Sequence, residues 1–361
     1  MITTPSVIIP QSILHNQQIQ KQLLSKHPEL SDIRDELRKA AGLEQSNSYH
    51  PLIATGHQPA FYYPGLLFKN YFVSQIARES KGEAINFVVD TDLADYQVPV
   101  PSQSGDAFFK TLALLNNPYQ KTYADFNPSQ EEIQDFFGEI AEPLTSLNQS
   151  SVKEAFDHYR QAFWQEYKKT NDFSETVRLL RHQFDFSIRQ PVRDIKISEI
   201  TQSKGYYTFV EYLIRHIHSF TEIYNKAVQQ TKTGDYQPVK FLYQEANRYE
   251  LPFWLAREGF RQPLFLEKND DKLLFYDPEG KIVCKIITKG SSREQQITDM
   301  QQSLRLYPKA TSLTLMIRLF LSDLFIHGTG GAEYEPINNQ VIKKFFSLSS
   351  TPIFYTETGN I

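Results

Sequence analysis

A strand, a helix and a second strand follow one another over residues 52–89, and this pattern constrains the fold more than any other feature of the sequence. Residues 52–56 form a short apolar run that ends in a glycine, which is typical of a buried strand entering a tight turn. Apolar residues then recur at helical spacing over 66–80, and the run 84–89 predicts a second buried strand. Together they predict a parallel βαβ unit in an α/β protein.

The rest of the chain divides by its pattern. Capping-box spacing at Ser129/Glu132 and at Ser151/Glu154, each followed by aromatic residues at helical spacing, predicts amphipathic helices whose aromatic faces are core. Apolar runs separated by turn residues over 251–287 predict an antiparallel β meander. Its residues Phe253 and Trp254 are expected in the core. The predicted organisation is a helical lead-in over 1–50, the first half of the core over 51–123, a helical insertion over 124–235, and the meander with the second half of the core over 236–361.

Composition excludes several classes of protein. The chain of 361 residues has 38 Lys and Arg against 42 Asp and Glu, a net charge of −4, which argues against nucleic-acid binding. Its one cysteine excludes an internal disulfide framework and a multi-cysteine metal site. The apolar stretch 313–326 is too short for a membrane span and is interrupted by Arg318 and Asp323. No basic leader precedes an apolar run, so we expect a cytoplasmic protein that acts on small molecules.

The first group of candidate site residues follows the first predicted strand. Gly56, His57 and Gln58 lie at the strand end, Gly65 opens the next helix, and Lys69 lies one turn further on. A strand end, a glycine turn and a helix N-terminus together favour an anion, because unpaired N–H groups and the helix dipole point the same way. The alternative is a buried loop in which prolines and glycines only set the path of the chain.

The second group follows the second predicted strand and contains Asp90, Asp92 and Asp95. In open α/β sheets, ligands bind outside the carboxyl ends of the strands. A carboxylate there could bind a ribose hydroxyl, a substrate amine or a hydrated magnesium ion. The alternative is an acidic turn that caps the next segment.

The third group is the glycine-rich segment 327–334. Gly328, Gly330 and Gly331 account for three of the 15 glycines of the chain, and Glu333 and Tyr334 follow them. Such a segment allows the backbone to approach a ligand closely. The alternative is a sharp bend between packed elements. We expect all three groups to line one cleft.

Three blocks resemble the bacillithiol-biosynthesis cysteine-adding enzymes, in the same order: ATGHQPAFYYPGLLFKNYFVSQIA, FVVDTDLADY and FIHGTGGAEY. The first departs from that family in having His57 where the family shows glutamine. The resemblance implies a Rossmann-like core akin to class I nucleotidyltransferases, a helical insertion and a nucleotide site. The residues that match the motifs are Gly56, His57, Gln58, Lys69, Asp90, Asp92, Asp95, Gly328, Gly330, Gly331, Glu333 and Tyr334.

The leading hypothesis is a nucleotide-dependent ligase or nucleotidyltransferase that joins an amino acid or similar small molecule to an acceptor. ATP, ADP or another nucleotide is the expected cofactor, magnesium is compatible with it, and a homodimer is compatible with the sequence. The expected catalytic residues are His57, Lys69, Asp90 and Asp92, and the expected nucleotide-binding residues are Gly56, His57, Gln58, Gly65, Gly328, Gly330, Gly331, Glu333 and Tyr334. Two alternatives remain: a binding protein without catalysis, and a metal-dependent hydrolase that uses His57 and the aspartates.

Overall fold

The computed structural model describes residues 8–43, 50–61, 64–102, 109–114, 121–145, 150–187, 191–232 and 237–356. The strands are β1 (Leu52–His57), β2 (Glu83–Val88), β3 (Gln97–Pro101), β4 (Phe109–Ala113), β5 (Arg193–Lys196), β6 (Gln244–Glu245), β7 (Arg248–Arg257), β8 (Phe260–Asn269), β9 (Lys272–Tyr276), β10 (Ile282–Ile287), β11 (Leu306–Pro308), β12 (Leu324–His327) and β13 (Phe354–Thr356). The helices are α1 (Ile8–Lys26), α2 (Glu29–Ala40), α3 (Pro64–Glu79), α4 (Gln130–Thr145), α5 (Ser150–Thr170), α6 (Phe173–Ser187), α7 (Ile197–Ile200), α8 (Lys204–Arg215), α9 (Ile217–Thr231), α10 (Arg293–Ser303), α11 (Ala310–Met316), α12 (Thr329–Ala332) and α13 (Glu335–Phe345).

Five of the described strands form a parallel sheet in the order β13-β12-β1-β2-β5. Strand β1 pairs with β2 on one side and with β12 on the other. The predicted βαβ unit is therefore confirmed as β1-α3-β2, and the Rossmann-like α/β class is confirmed with it. From β1 the chain builds the sheet outward through β2 and β5, and it later returns to the opposite side of β1 as β12. The strand order thus reverses between β1 and β12.

Both faces of the parallel sheet are covered, which explains why β1 is a continuous apolar run rather than an alternating one. On one face, Ile53 and Ile326 pack in a cluster with Val73 and Ile76 of α3. On the other face, Ala54 joins the largest buried cluster, which also contains residues of α8, α9, α13 and the antiparallel strands. The edge where the strands end therefore lies between two packed layers.

Six of the described strands form the antiparallel sheet, in which β10, β9, β8, β7 and β11 are neighbours in that order and β6 pairs with β7. The meander predicted over 251–287 corresponds to β7–β10 and is confirmed. Strand β11 adds to the far edge of β7 and brings Tyr307 opposite Trp254. This addition carries the sheet toward the parallel one.

A second aromatic core is formed by α4, α5 and α6 with the hairpin β3–β4. Its buried rings include Phe137, which packs edge-to-face on Phe163 at 5.0 Å between ring centres, and Phe173, which is tilted against Phe163 at 5.3 Å. The helical insertion predicted over 124–235 differs from the structure in one respect. Strand β5 lies within that range and pairs with β2 in the parallel sheet, because the chain returns to the main core before α8 and α9.

The lead-in predicted over 1–50 contains α1 and α2. Ile9 and Ile13 of α1 pack on the α3 face of the parallel sheet, whereas Leu30 and Leu37 of α2 lie in the larger core. Among the described residues, no helix combines the length and the apolar character needed to cross a bilayer.

Candidate functional site

The three groups of candidate residues meet at the carboxyl edge of the parallel sheet. Gln58 Nε2 donates to Asp92 Oδ2 at 2.8 Å, which joins the end of β1 to the loop after β2. Lys69 Nζ lies close to both Gly56 and Gly328, which joins β1 to the loop after β12. We call the group formed by Gly56, Gln58, Lys69, Asp92 and Gly328 the switch-point site. It lies where the strand order reverses, the position at which open α/β sheets bind ligands.

Lys69 is the buried cation of the switch-point site. Helix α3 packs on the sheet, and the Lys69 side chain, 2% exposed, runs toward the strand ends. Its Nζ donates to Gly56 O at 2.9 Å, and a Cβ placed on Gly328 would lie 3.9 Å from the same atom. A positive charge at this point attracts anions to the strand ends between β1 and β12.

The neighbouring glycines allow the backbone to come close at this point. A Cβ on Gly56 would lie 3.3 Å from Phe87 O of the adjacent strand, which is tighter than ordinary contact. Gly65 lies in the first turn of α3. The N-terminus of α3 follows β1 directly, so the positive end of its dipole lies at the same edge as Lys69.

His57 is held as a neutral imidazole. Burial and the Lys69 charge lower the pKa of His57 to about 4, opposed by the hydrogen bond to Gln58. The bonded atom is Nδ1, 2.8 Å from Gln58 O, and a carbonyl oxygen can only accept. The proton of the neutral ring is therefore on Nδ1. In this state His57 presents Nε2 as an acceptor, so a hydrogen bond from Nε2 to a phosphate would need a second proton on the ring.

Asp90 is bound by the protein itself. Its Oδ1 accepts from Ser198 N at 2.9 Å, its Oδ2 accepts from Ser198 Oγ, and its side chain joins β2 to the short helix α7. Burial raises the pKa of Asp90 to about 6, although both Ser198 hydrogen bonds lower it. Asp90 thus bonds to the first turn of α7, 108 residues later in the chain, rather than to the next segment. Asp95 is exposed, and its backbone N–H and carbonyl are both bonded to Tyr123 Oη.

Asp92 joins the two sheets. Its Oδ1 accepts from Leu93 N at 2.8 Å and lies 2.5 Å from Arg261 Nη2 of β8. The Arg261 guanidinium lies over the Trp254 ring, 5.1 Å from its centre, and Lys309 Nζ lies 4.7 Å from the same centre. Trp254 is thus half-buried between two cations, whereas Phe253 is in the core as expected. Sequence reasoning missed Arg261 and Lys309, since nothing in the local pattern marks them.

After β12 the glycine-rich segment enters the short helix α12, and we call residues 328–331, which are Gly328 and the first residues of that helix, the glycine turn. A Cβ on Gly330 would meet nothing within 4 Å, whereas one on Gly331 would lie 2.0 Å from His327 Nδ1. Glu333 is exposed and Tyr334 is half-buried. Burial raises the pKa of the Tyr334 phenol to about 12, a hydrogen bond to Thr314 lowers it, and the nearby charges of Glu335 and Asp92 raise it further.

Behind this segment lies a buried charged group that the candidate list omits. His327 Nε2 lies 2.7 Å from Glu335 Oε1, and Arg318 Nη1 donates to Glu335 Oε2. Arg318 and Glu335 are almost fully buried, with side-chain exposures of 1% and 0%. The sequence did contain a signal, because Arg318 interrupts an apolar run, and a charge there requires a buried partner.

The residues of the switch-point site fit a nucleotide phosphate. Lys69 supplies positive charge, and the glycines at the strand ends, Gly56 and Gly328, allow a phosphate to approach the main chain closely. Magnesium on Asp92 would replace its Arg261 contact. Among the described residues, no three or more His, Cys, Asp or Glu side chains are grouped so that they could hold a metal ion.

A separate cavity of about 820 Å³ lies at the opposite edge of the sheet, beside the first residues of β2 and β5. Arg78, His182 and Arg193 are among its lining residues. His182 and Arg193 contact Asp194 and Glu83, at 3.3 Å and 2.9 Å. None of the three predicted groups reaches this cavity, so we assign the candidate site to the carboxyl edge.

Comparison with known proteins leaves the site to be interpreted from its own geometry: the chain matches no protein-family model and no curated protein.

Proposed function

We propose that this protein binds a nucleotide at the switch-point site and uses it to join an amino acid or similar small molecule to an acceptor. The observation that carries the proposal is the position of Lys69. Its ammonium is buried between Gly56 and Gly328, at the reversal of the strand order. A cation, close-approaching backbone and a helix N-terminus at one point favour phosphate over an uncharged ligand.

Each part of the site has a role in this proposal. Lys69 neutralises phosphate charge, and backbone around Gly56 and Gly328 hydrogen-bonds its oxygens. Gln58 and Asp92, already bonded to each other, would bind a ribose hydroxyl or a substrate amine. Bound ATP would supply an activated phosphoryl group. The protein would contribute mainly positioning and charge stabilisation.

The resemblance to the cysteine-adding enzymes supports the choice of an amino acid as one substrate. It rests on the segments that contain Gly56, Asp92 and Gly328, which lie apart in the chain and meet at the switch-point site. Segments that match a family motif and also converge in space favour a shared site over chance similarity.

Thermal unfolding with ATP or ADP, with and without magnesium, tests the proposal. At about 100 times Kd, bound nucleotide should raise the free energy of unfolding by about 2.7 kcal/mol. Lys69→Met should weaken ATP binding by about tenfold or more, because a charge-assisted contact is lost. Lys268→Met is the matched control, since Lys268 Nζ also donates to a backbone carbonyl, Arg215 O, at 3.2 Å.

The proposal would be contradicted if neither nucleotide changed the unfolding temperature. It would also be contradicted if Lys69→Met bound ATP as tightly as the wild type.

A second candidate is a nucleotide-binding protein without catalysis. It is favoured by the contacts of two expected catalytic groups: His57 donates its Nδ1 proton to Gln58 O, and both Asp90 oxygens accept from Ser198. This candidate predicts nucleotide binding without turnover. Release of phosphate, pyrophosphate or AMP from ATP in the presence of mixed amino acids distinguishes the two.

A further inference from the structure

A chain of three buried charged or titratable side chains lies directly behind the glycine turn. Arg318 donates to Glu335, and Glu335 contacts His327 at 2.7 Å. Arg318 is fixed further, because its Nη2 donates to Asn339 Oδ1 at 2.8 Å and to Pro352 O. The carboxylate is therefore held from one side by the guanidinium, and it contacts the imidazole on the other side.

Stability alone gives little reason for this arrangement. Taking a carboxylate and a guanidinium out of water is unfavourable, and well-packed apolar residues of similar volume are often as stable. The three side chains lie among apolar residues such as Phe325 and Ile337, and buried Asn338 donates to the same carboxylate at 3.3 Å. Their shared feature is that the chain of contacts ends at His327, the last residue of β12.

His327 supports the glycine turn. A Cβ on Gly331 would lie 2.0 Å from Nδ1 and 2.4 Å from Cε1 of this ring. The backbone of Gly331 therefore rests on the imidazole at a distance that only glycine permits. The neighbouring Gly330 has open space on its Cβ side, and Gly328 lies beside Lys69 Nζ. Contact with His327 thus sets where the turn lies relative to Lys69.

We propose that Arg318, Glu335 and His327 are positioning residues that hold the turn 328–331 in place as the phosphate-facing wall of the switch-point site. The proposal rests on the proposed function for the identity of the ligand. It does not require that the three side chains touch the nucleotide. The contact of Glu335 with His327, and the contact of His327 with Gly331, carry the effect.

Two adjacent glycines provide a matched test. Gly330→Ala adds a methyl group into open space, whereas Gly331→Ala adds the same group into the His327 ring. Neither glycine has a positive φ, so steric contact is the difference between them. ATP affinity by calorimetry should change by less than about threefold in the first variant and fall by about tenfold or more in the second.

A double variant tests whether His327 is the cause. In a His327→Ala background the ring is absent, so Gly331→Ala should cause little further loss of ATP affinity. Glu335→Gln, which keeps the side chain size, should weaken ATP binding and speed amide hydrogen exchange over 328–334. Glu211→Gln is the control, because Glu211, like Glu335, is a buried carboxylate paired with cationic side chains. Its partners are two arginines, at 2.7 and 3.4 Å.

Equal losses of affinity in the two glycine variants, or an undiminished effect of Gly331→Ala in the His327→Ala background, would overturn the proposal. Unchanged exchange over 328–334 in Glu335→Gln would also overturn it. If the wild type binds no nucleotide, the proposed function fails, while the exchange measurement on the free protein still decides whether the three side chains position the turn.

Discussion

At the scale of single residues, His57 shows what the site does to an ionisable group. Burial and Lys69 lower its pKa to about 4, against about 6.5 in an unfolded chain. As pH falls, His57 therefore takes up its second ring proton at a higher pH in the unfolded state than in the folded state. The stabilisation that neutral His57 gives the folded state is full above pH 6.5 and is lost as pH falls toward 4, by up to about 3 kcal/mol. The free energy of unfolding of the wild type, minus that of His57→Gln, should rise with pH across this window in urea titrations.

Asp90 should have the opposite effect in nearly the same pH range. Burial raises its pKa to about 6 in the folded protein, so the folded state keeps its proton longer than the unfolded state. This contribution is present at pH 4 and is lost as pH rises through 6, again by up to about 3 kcal/mol. The free energy of unfolding of the wild type, minus that of Asp90→Asn, should therefore fall with rising pH. If either difference does not change with pH, or if both change in the same direction, the environments described for His57 and Asp90 are wrong.

At the scale of elements, the pair Arg261–Asp92 is a polar link between the two sheets, in addition to the apolar core that they share. Arg305 offers a matched comparison, because each arginine pairs with an aspartate and lies 5.1 Å from the centre of an aromatic ring. The side chain of Arg261 is 19% exposed, against 46% for Arg305.

Arg261→Met should lower the free energy of unfolding by about 1–3 kcal/mol, since it leaves Asp92 half-buried without its cation. Arg305→Met should lower it by less than about 1 kcal/mol, because a more exposed pair is screened by solvent. Chemical denaturation of both variants measures the difference. A larger loss for Arg305→Met would show that Arg261 does not hold the sheets together.

The elements with strong local patterns could be predicted from the sequence. The apolar run of β1, the periodic face of α3 and the turn signals of the meander depend on neighbouring residues, and their strands and helices formed where expected. Strand β5 was not predicted, because it is four residues long and three of them are charged. Its place in the sheet depends on pairing with β2, more than 100 residues earlier.

The candidate site could be predicted in part for the same reason. Parallel strands end at one edge, so the residues after β1 and β2 had to lie near one another once those strands were recognised, whereas the pairing of β12 with β1 was not predicted. The partner of Asp90 could not be inferred, since Ser198 lies 108 residues away. The contact of Arg261 with Asp92 could not be inferred either. Arg261 belongs to the antiparallel sheet, and no residue near it in the sequence indicates that partner.

At the scale of the whole molecule, the return of the chain as β12 creates the site. Residues 52–92 alone contain His57, Lys69, Asp90 and Asp92, but the reversal of strand order exists only when β12 pairs with β1. The antiparallel sheet then covers the carboxyl edge through Arg261. The site therefore draws on segments from both ends of the chain, which explains why no short motif describes it.

The most direct test of this account is a crystal structure with a non-hydrolysable ATP analogue. The account predicts phosphate oxygens between β1 and β12, within hydrogen-bonding distance of Lys69 Nζ and of backbone N–H groups near Gly56 and Gly328. An analogue bound instead at the opposite edge of the sheet, in the cavity beside Arg78 and His182, would contradict it.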